Sequence, residues 1–163
     1  MERKNLYIDF DGVILDTITP LYTDYKKQKI NKNDHQDFYT KYPWEKIIDD
    51  KYIINNAIED IKAIINSNKF NLAILTHVNS LREAVLKVKY IRKYFKDITI
   101  IPVPKAISKT KMVHTENSIL VDDYAGNLRE WEQEGGIGIR FNLEGEQKSF
   151  KTIKDLKEII DMF

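Results

Sequence analysis

Three short stretches place acids and hydroxyls where phosphate chemistry would need them. The first is Asp9-Phe10-Asp11-Gly12. Residues two apart on a strand point to the same side, so both carboxylates face one site if extended geometry persists to Asp11. Gly12 lets the chain turn sharply and leaves backbone N–H groups available to an anion. The second is Thr76, which ends the run LAILT just before Asn79 and Ser80, either of which can cap a following helix. A hydroxyl beside free helix amides makes a phosphate seat. The third is Asp122-Asp123, closing the run SILV. Adjacent acids at a buried strand end repel one another, which a hard divalent cation with oxygen ligands relieves, and magnesium suits a site shared with phosphate.

A positive charge completes the set. Lys109 follows Ser108 at an expected helix start and can neutralise phosphate and carboxylates; Lys105 and Lys111 are its rivals. Each signal has an ordinary counterpart: an acid-glycine pair is commonly a turn, Thr, Asn and Ser cap helices without ligands, and loop acids and lysines are commonly solvated. His77 can reach a substrate but reads as an uninvolved loop histidine. His35 and His114 lack ligand spacing and read as surface residues, and Arg129 and Trp131 as surface and packing positions.

The elements that would position these residues alternate. Residues 5–10, 70–75, 98–103, 118–121 and 136–141 are short apolar runs that read as buried strands. Residues 80–95 carry Leu81, Val85, Val88, Ile91 and Phe95 at helical spacing, taken as one buried face. Residues 125–134 form a helix stopped by Gly135-Gly136, and residues 150–162 read as a closing amphipathic helix. Strands alternating with helices predict a parallel α/β sheet covered on both faces, with the working site at the strands' carboxyl ends. Residues 14–65 break the alternation with helical, aromatic-rich sequence, interrupted by Pro43 and a polar segment. Their place after the first strand predicts a small helical cap over the site; the alternative is a set of core packing helices. The cap aromatics are candidates for stacking on a nucleobase, or for core packing.

Composition narrows the classes. The chain has 163 residues, enough for one domain with a small accessory unit. Its formal charge is +1, from 26 basic and 25 acidic residues, so no global field favours nucleic acid or an acidic membrane. It has no cysteine, which excludes disulfides, thiolate metal sites and cysteine nucleophiles. No apolar run approaches the ~20 residues of a membrane span. The charged start of the chain does not read as a secretory signal, so a cytoplasmic location is expected.

Taken in order, Asp9-Phe10-Asp11-Gly12-Val13, Leu75-Thr76, Lys109 and Val121-Asp122-Asp123 resemble the four motifs of the haloacid dehalogenase-like (HAD) hydrolase superfamily. The resemblance runs from about residue 5 to 141, and the stretch around Asp9 looks closest to the nucleotidase-like members. It implies a three-layer, Rossmann-like core of residues 1–13 and 66–163 with a cap of residues 14–65. By the same resemblance, Asp9 is the nucleophile that forms an aspartyl-phosphate, and Asp11 the general acid and base. Thr76, Lys109 and the amides near Phe10 and Asp11 would bind phosphoryl oxygens. Mg2+ would be held by Asp9, the Asp11 carbonyl and one of Asp122 or Asp123, Asp123 being favoured, with Asp122 behind it or paired with Lys109; the adjacent pair leaves that order open. An aspartate at position 11 separates this pattern from the dehalogenases and ion pumps. The expected activity is a phosphatase on a small phosphorylated substrate, possible substrates including (deoxy)nucleoside monophosphates. An enzyme acting on nucleic-acid ends or phosphoproteins is the alternative, which near-neutral charge disfavours. A non-enzymatic receiver domain is the remote one, since receivers carry the acid pair and the phosphorylated acid in the opposite order.

Overall fold

The computed structural model describes residues 2–145 and 149–163; Met1 and residues 146–148 of the expected core lie outside the described residues. Six strands, β1 (Lys4–Ile8), β2 (Phe70–Val78), β3 (Thr99–Pro104), β4 (Ile119–Asp122), β5 (Ile137–Phe141) and β6 (Lys151–Ile153), form one sheet in the order β3-β2-β1-β4-β5-β6. All neighbours are parallel. The chain builds outward from β1 to β3, then returns to the other side of β1 with β4. The β1/β4 boundary is therefore the point where strand order reverses, and crevices open at such points.

The strands are apolar because both faces are covered. Leu6, Ile8, Ile74, Ile119, Val121 and Ile139 pack into one layer with Ile58, Ile61 and Ile64 of α3 (Ala57–Asn66) and with Tyr90 and Ile91 of α4 (Leu81–Tyr94). Leu75, Val103 and Leu120 pack into the other with Leu128 and Trp131 of α5 (Ala125–Gln133) and with Phe150. Trp131 is fully buried, and its Nε1 donates to the Ser118 carbonyl at 2.9 Å. It thus fills a layer without stranding a polar atom.

After β1 the chain forms the small helical region: α1 (Ile18–Lys27), α2 (His35–Lys41) and short 3-10 turns at Trp44–Lys46 and Asp50–Tyr52. Tyr42, Trp44 and Ile47 form its own buried cluster, with Leu21, Phe38 and Tyr52 packed against it. The stretch 14–65 is not one packing unit. Ile14, Leu15, Ile54, Ala57, Ile58, Ile61 and Ile64 belong to the main core, so α3 packs as a sheet-covering helix.

Two expectations need correction. Residues 150–162 are not one helix: residues 151–153 pair with β5 as edge strand β6, and only Ile159–Met162, α6, is α-helical. Lys151, Thr152 and Ile153 pair in register with Ile139, Arg140 and Phe141, and the Asp155–Glu158 capping box restarts the chain as a helix. The buried face of α4 is the expected one only in part: Ile91 and Phe95 are buried and Val88 half-buried, but the first turns are rotated. Leu81 and Val85 are exposed, at 86% and 51%, whereas Glu83, Lys87, Tyr90 and Ile91 are buried. Those four also share one helical face, and its first two members are charged because they reach the strand ends.

Candidate active site

Ile8 lies level with Ile74 on one side and Val121 on the other, so Asp9 and Asp122 emerge side by side at the carboxyl ends of β1 and β4. The Asp9 amide donates to the Val121 carbonyl at 2.9 Å, which fixes its backbone to β4. The chain then turns: Ile14 and Leu15 amides donate to the Phe10 carbonyl, and the Gly12 amide to Leu15. The Phe10 and Asp11 amides take no part in those turn bonds. The Phe10 ring is fully buried, edge-on to Tyr90 at 5.9 Å, and anchors the turn from below.

Lys109 is the lysine brought to this place. Ser108 caps its 3-10 turn, accepting from the Thr110 amide, and Lys109 Nζ lies 2.9 Å from Asp9 Oδ1 and 2.7 Å from Asp122 Oδ2. Lys105 is exposed at the cavity rim, and Lys111 is exposed and paired with Glu134 at 3.1 Å. Asp122 is fully engaged, since Oδ2 also accepts from Asn127 Nδ2 at 2.9 Å and Oδ1 from the Tyr124 amide at 2.9 Å. Asp123 instead turns toward Gly12, where a Cβ would stand 2.3 Å from its Oδ2.

Asp9, Asp122 and Asp123 each offer an oxygen, all within 4.8 Å of one another. Burial, then Asp122, pushes the Asp9 carboxyl up to about 7 against the opposing pull of Lys109. Burial, then Asp9 and Asp122, pushes Asp123 up to about 8. Among the described residues one ammonium, that of Lys109, lies against these carboxylates, and the oxygen-only donor set fits a hard divalent cation.

Asp11 is held apart from this cluster. Its Oδ1 accepts from Thr17 Oγ at 2.6 Å, and its Oδ2 from the fully buried Lys87 Nζ at 2.5 Å. Lys87 also donates to Thr76 Oγ at 3.1 Å and the His77 carbonyl at 2.9 Å, and pairs with Glu83 at 2.8 Å. Thr76 is fully buried at the end of this network. His77 lines the cavity, its Nε2 2.9 Å from the Ile107 carbonyl, and burial lowers its pKa.

A cavity of about 470 Å3 opens above Asp9, Asp11 and Asp123. Ile18, Leu21, His35, Gln36, Tyr39 and Trp44 line it from the helical region, and His77, Asn79, Lys105, Tyr124 and Asn127 from the core. His35 is therefore not the plain surface residue expected; it lines the cavity and its ring hydrogen-bonds Tyr25. The expected site residues Asp9, Phe10, Asp11, Thr76, Lys109, Asp122 and Asp123 all meet at these strand ends. Lys87, Glu83 and Thr17 went unread. In the sequence Glu83 shows as the last residue of the capping-box pattern Ser80-x-x-Glu83 and as the i, i+4 partner of Lys87, a pair that also reads as exposed.

Among the described residues no helix is long and apolar enough to cross a membrane. No family model matches the chain, and no curated protein matches it. Solved structures do. A HAD phosphatase from Thermococcus onnurineus superposes with a TM-score of 0.65 at 17% identity, covering 98% of this chain and 97% of its own. The HAD-hydrolase YfnB from Bacillus subtilis, bound to magnesium, gives 0.63 at 13%, covering 99% of each chain. The D,D-heptose 1,7-bisphosphate phosphatase from Burkholderia thailandensis gives 0.58 at 11%, covering 99% of this chain and 98% of its own. The helices, the parallel sheet and the region after β1 all take part in these near-complete superpositions, and the chain has the fold of the HAD hydrolases.

Proposed function

We propose that the protein is a Mg2+-dependent phosphatase that hydrolyses phosphate monoesters by way of Asp9. The observation that carries this reading is the division of labour between two carboxylates two residues apart. Asp9 sits in the acidic cluster against Lys109, while Asp11 is held separately by Lys87 and Thr17.

In this mechanism an Asp9 oxygen attacks phosphorus, the bond to the ester oxygen breaks, and Asp11 gives its proton to the departing alkoxide. Water then attacks phosphorus, Asp11 takes its proton, and the Asp9–phosphorus bond breaks to release phosphate. Lys109 and the Phe10 and Asp11 amides stabilise charge on the transferring oxygens, and Thr76 acts beside them through its hydroxyl. Asp9, the Asp11 carbonyl and Asp123 would hold Mg2+, with Asp122 orienting Lys109 from behind. The bound ion would supply the charge that lets a carboxylate approach a phosphate dianion.

The cap comprises α1, α2 and the turns up to Tyr52 in this reading, with α3 belonging to the core. Its Tyr39, with Gln36 on the same cavity wall, suits a substrate with a planar aromatic part, which favours nucleoside monophosphates over phosphoproteins, while the near-neutral net charge counts against nucleic-acid ends. The test is Mg2+-dependent phosphate release across nucleotides, sugar phosphates, oligonucleotides and an aryl phosphate, with Asp9→Asn as control. Activity on none of them overturns the phosphatase; preference for sugar phosphates overturns the nucleotide reading alone.

A further inference from the structure

Lys87 touches none of Asp9, Asp122 and Asp123 and is not among the residues that line the cavity. It comes from the second turn of α4 and is fully buried, as is Glu83 one turn before it. Its ammonium meets four oxygens: Asp11 Oδ2, Glu83 Oε1, Thr76 Oγ and the His77 carbonyl. The Phe10 ring centroid lies 5.3 Å away and that of Trp44 5.8 Å, so aromatic faces close the remaining sides. Glu83 is also anchored, accepting from the Asn79 amide at 2.6 Å and its side-chain nitrogen at 3.1 Å. Ser80 fixes the start of the helix by accepting from the Glu83 amide at 3.1 Å.

A buried ammonium costs much desolvation, and a packed apolar side chain at this position would avoid it. A lysine here has a use only if its hydrogen bonds place something. We propose that Lys87, braced by Glu83, is a positioning residue for Asp11: it fixes the carboxylate at the leaving-group side of the site and ties it to the loop after Thr76. The proposal rests on the phosphatase reading, because it assigns Lys87 a part in proton delivery to the leaving group. Thr17 holds the other oxygen, so the carboxylate is clamped at both ends. Lys87 contacts no reacting atom; besides Asp11 it hydrogen-bonds Thr76 Oγ, and a loss passed on through Thr76 would fall equally on both esters compared below.

Removing Lys87 alone leaves two carboxylates unpaired, so Lys87→Met is compared with the charge-balanced double variant Glu83→Gln/Lys87→Met. Both are assayed by kcat/KM on an alkyl phosphate, whose poor leaving group needs a proton, and on p-nitrophenyl phosphate, whose good one does not. The proposal expects kcat/KM of the folded double variant to fall by roughly 10²-fold on the alkyl ester and only a fewfold on the aryl ester. Equal losses on both, or no loss, overturn it, because a merely structural residue would not distinguish the leaving groups. A crystal structure of the double variant gives a readout without turnover: an Asp11 carboxylate displaced from Thr17 supports the proposal, and one unmoved overturns it. If the wild type cleaves neither ester, the phosphatase reading fails by itself, and the Asp11 position in that crystal structure still decides the positioning claim.

Discussion

Gly12 and Asp123 approach so closely that no side chain fits between them. Gly12 has φ +74°, and a Cβ built on it would stand 2.3 Å from Asp123 Oδ2 and 2.9 Å from Ile18 Cδ1. The glycine after the two acids thus has two reasons to be a glycine. One is the left-handed backbone that carries the chain away from β1, and the other is the space occupied by a carboxylate of the acidic cluster. Gly12→Ala would cost about 1–2 kcal/mol for the backbone alone. It must also push Asp123 away. The expected result is a lowered Tm together with a higher Mg2+ concentration for half-maximal activity. A variant with the lowered Tm but unchanged Mg2+ dependence would separate the turn from the cation site.

Lys109 pairs with both Asp9 and Asp122, so its loss should be felt through those two carboxylates in particular. Breaking a buried pair by removing one partner typically costs about 3–5 kcal/mol. Lys109→Met is therefore expected to lower the midpoint of urea unfolding strongly. Asp9→Asn removes one of the stranded charges, so the double variant should recover part of that loss. Additive effects of the two substitutions in a double-mutant cycle would mean that the two groups are not coupled.

How far this site could be read in advance differs between its halves. Asp9, Asp11, Thr76, Asp122 and Asp123 stand out because acids and a hydroxyl follow or end apolar strand runs. A strand end in a parallel sheet is a position with a known chemical meaning. The choice among three lysines rests on one local feature, the cap at Ser108, and Lys109 is the one whose Nζ lies beside Asp9 and Asp122. Lys87 and Glu83 gave no such sign. On α4 two stripes of residues run at helical spacing, and hydrophobicity favoured Leu81 and Val85. What settles the choice is tertiary: the inner stripe must cover Phe10 lower down and satisfy Asp11 higher up. A sequence carries the period of a helix but not its rotation. The edge strand β6 was missed for a related reason, since three residues are too few to display a period.

Acidity and magnesium should be linked at this site. An unfolded aspartate titrates at about 4, whereas burial and their acidic neighbours push Asp9 up to about 7 and Asp123 up to about 8 in the fold. Between those values the folded protein holds more protons than the unfolded one. The two groups therefore lower stability progressively as pH rises from about 4 to about 8. A bound divalent cation displaces those protons and removes the repulsion. The expected outcome is a Mg2+-induced rise in Tm that is small at about pH 5.5 and larger at about pH 8, and weakened by Asp123→Asn. A rise in Tm that is the same at both pH values, or greater in acid, would show that Mg2+ does not compete with protons at these carboxylates.

The cap side of the cavity can be tested without disturbing the chemistry. Tyr39 lines the cavity, and its ring stacks on Tyr25 at 6.0 Å, whereas its structural hydrogen bond uses the backbone: its carbonyl accepts from Trp44 Nε1 at 3.0 Å. Tyr39→Ala keeps that carbonyl and removes only the ring. Loss of stacking on a planar group costs about 1 kcal/mol or more, roughly fivefold or more in affinity. If the ring contributes equally to bound substrate and transition state, KM for a nucleoside monophosphate rises by that factor while kcat holds. A phosphate ester without an aromatic group should show no such change, because nothing on it can stack. A fall in kcat with KM unaltered would instead place Tyr39 in the closure of the cap over the reacting phosphate, and an equal change on both substrates would remove the case for a planar leaving group.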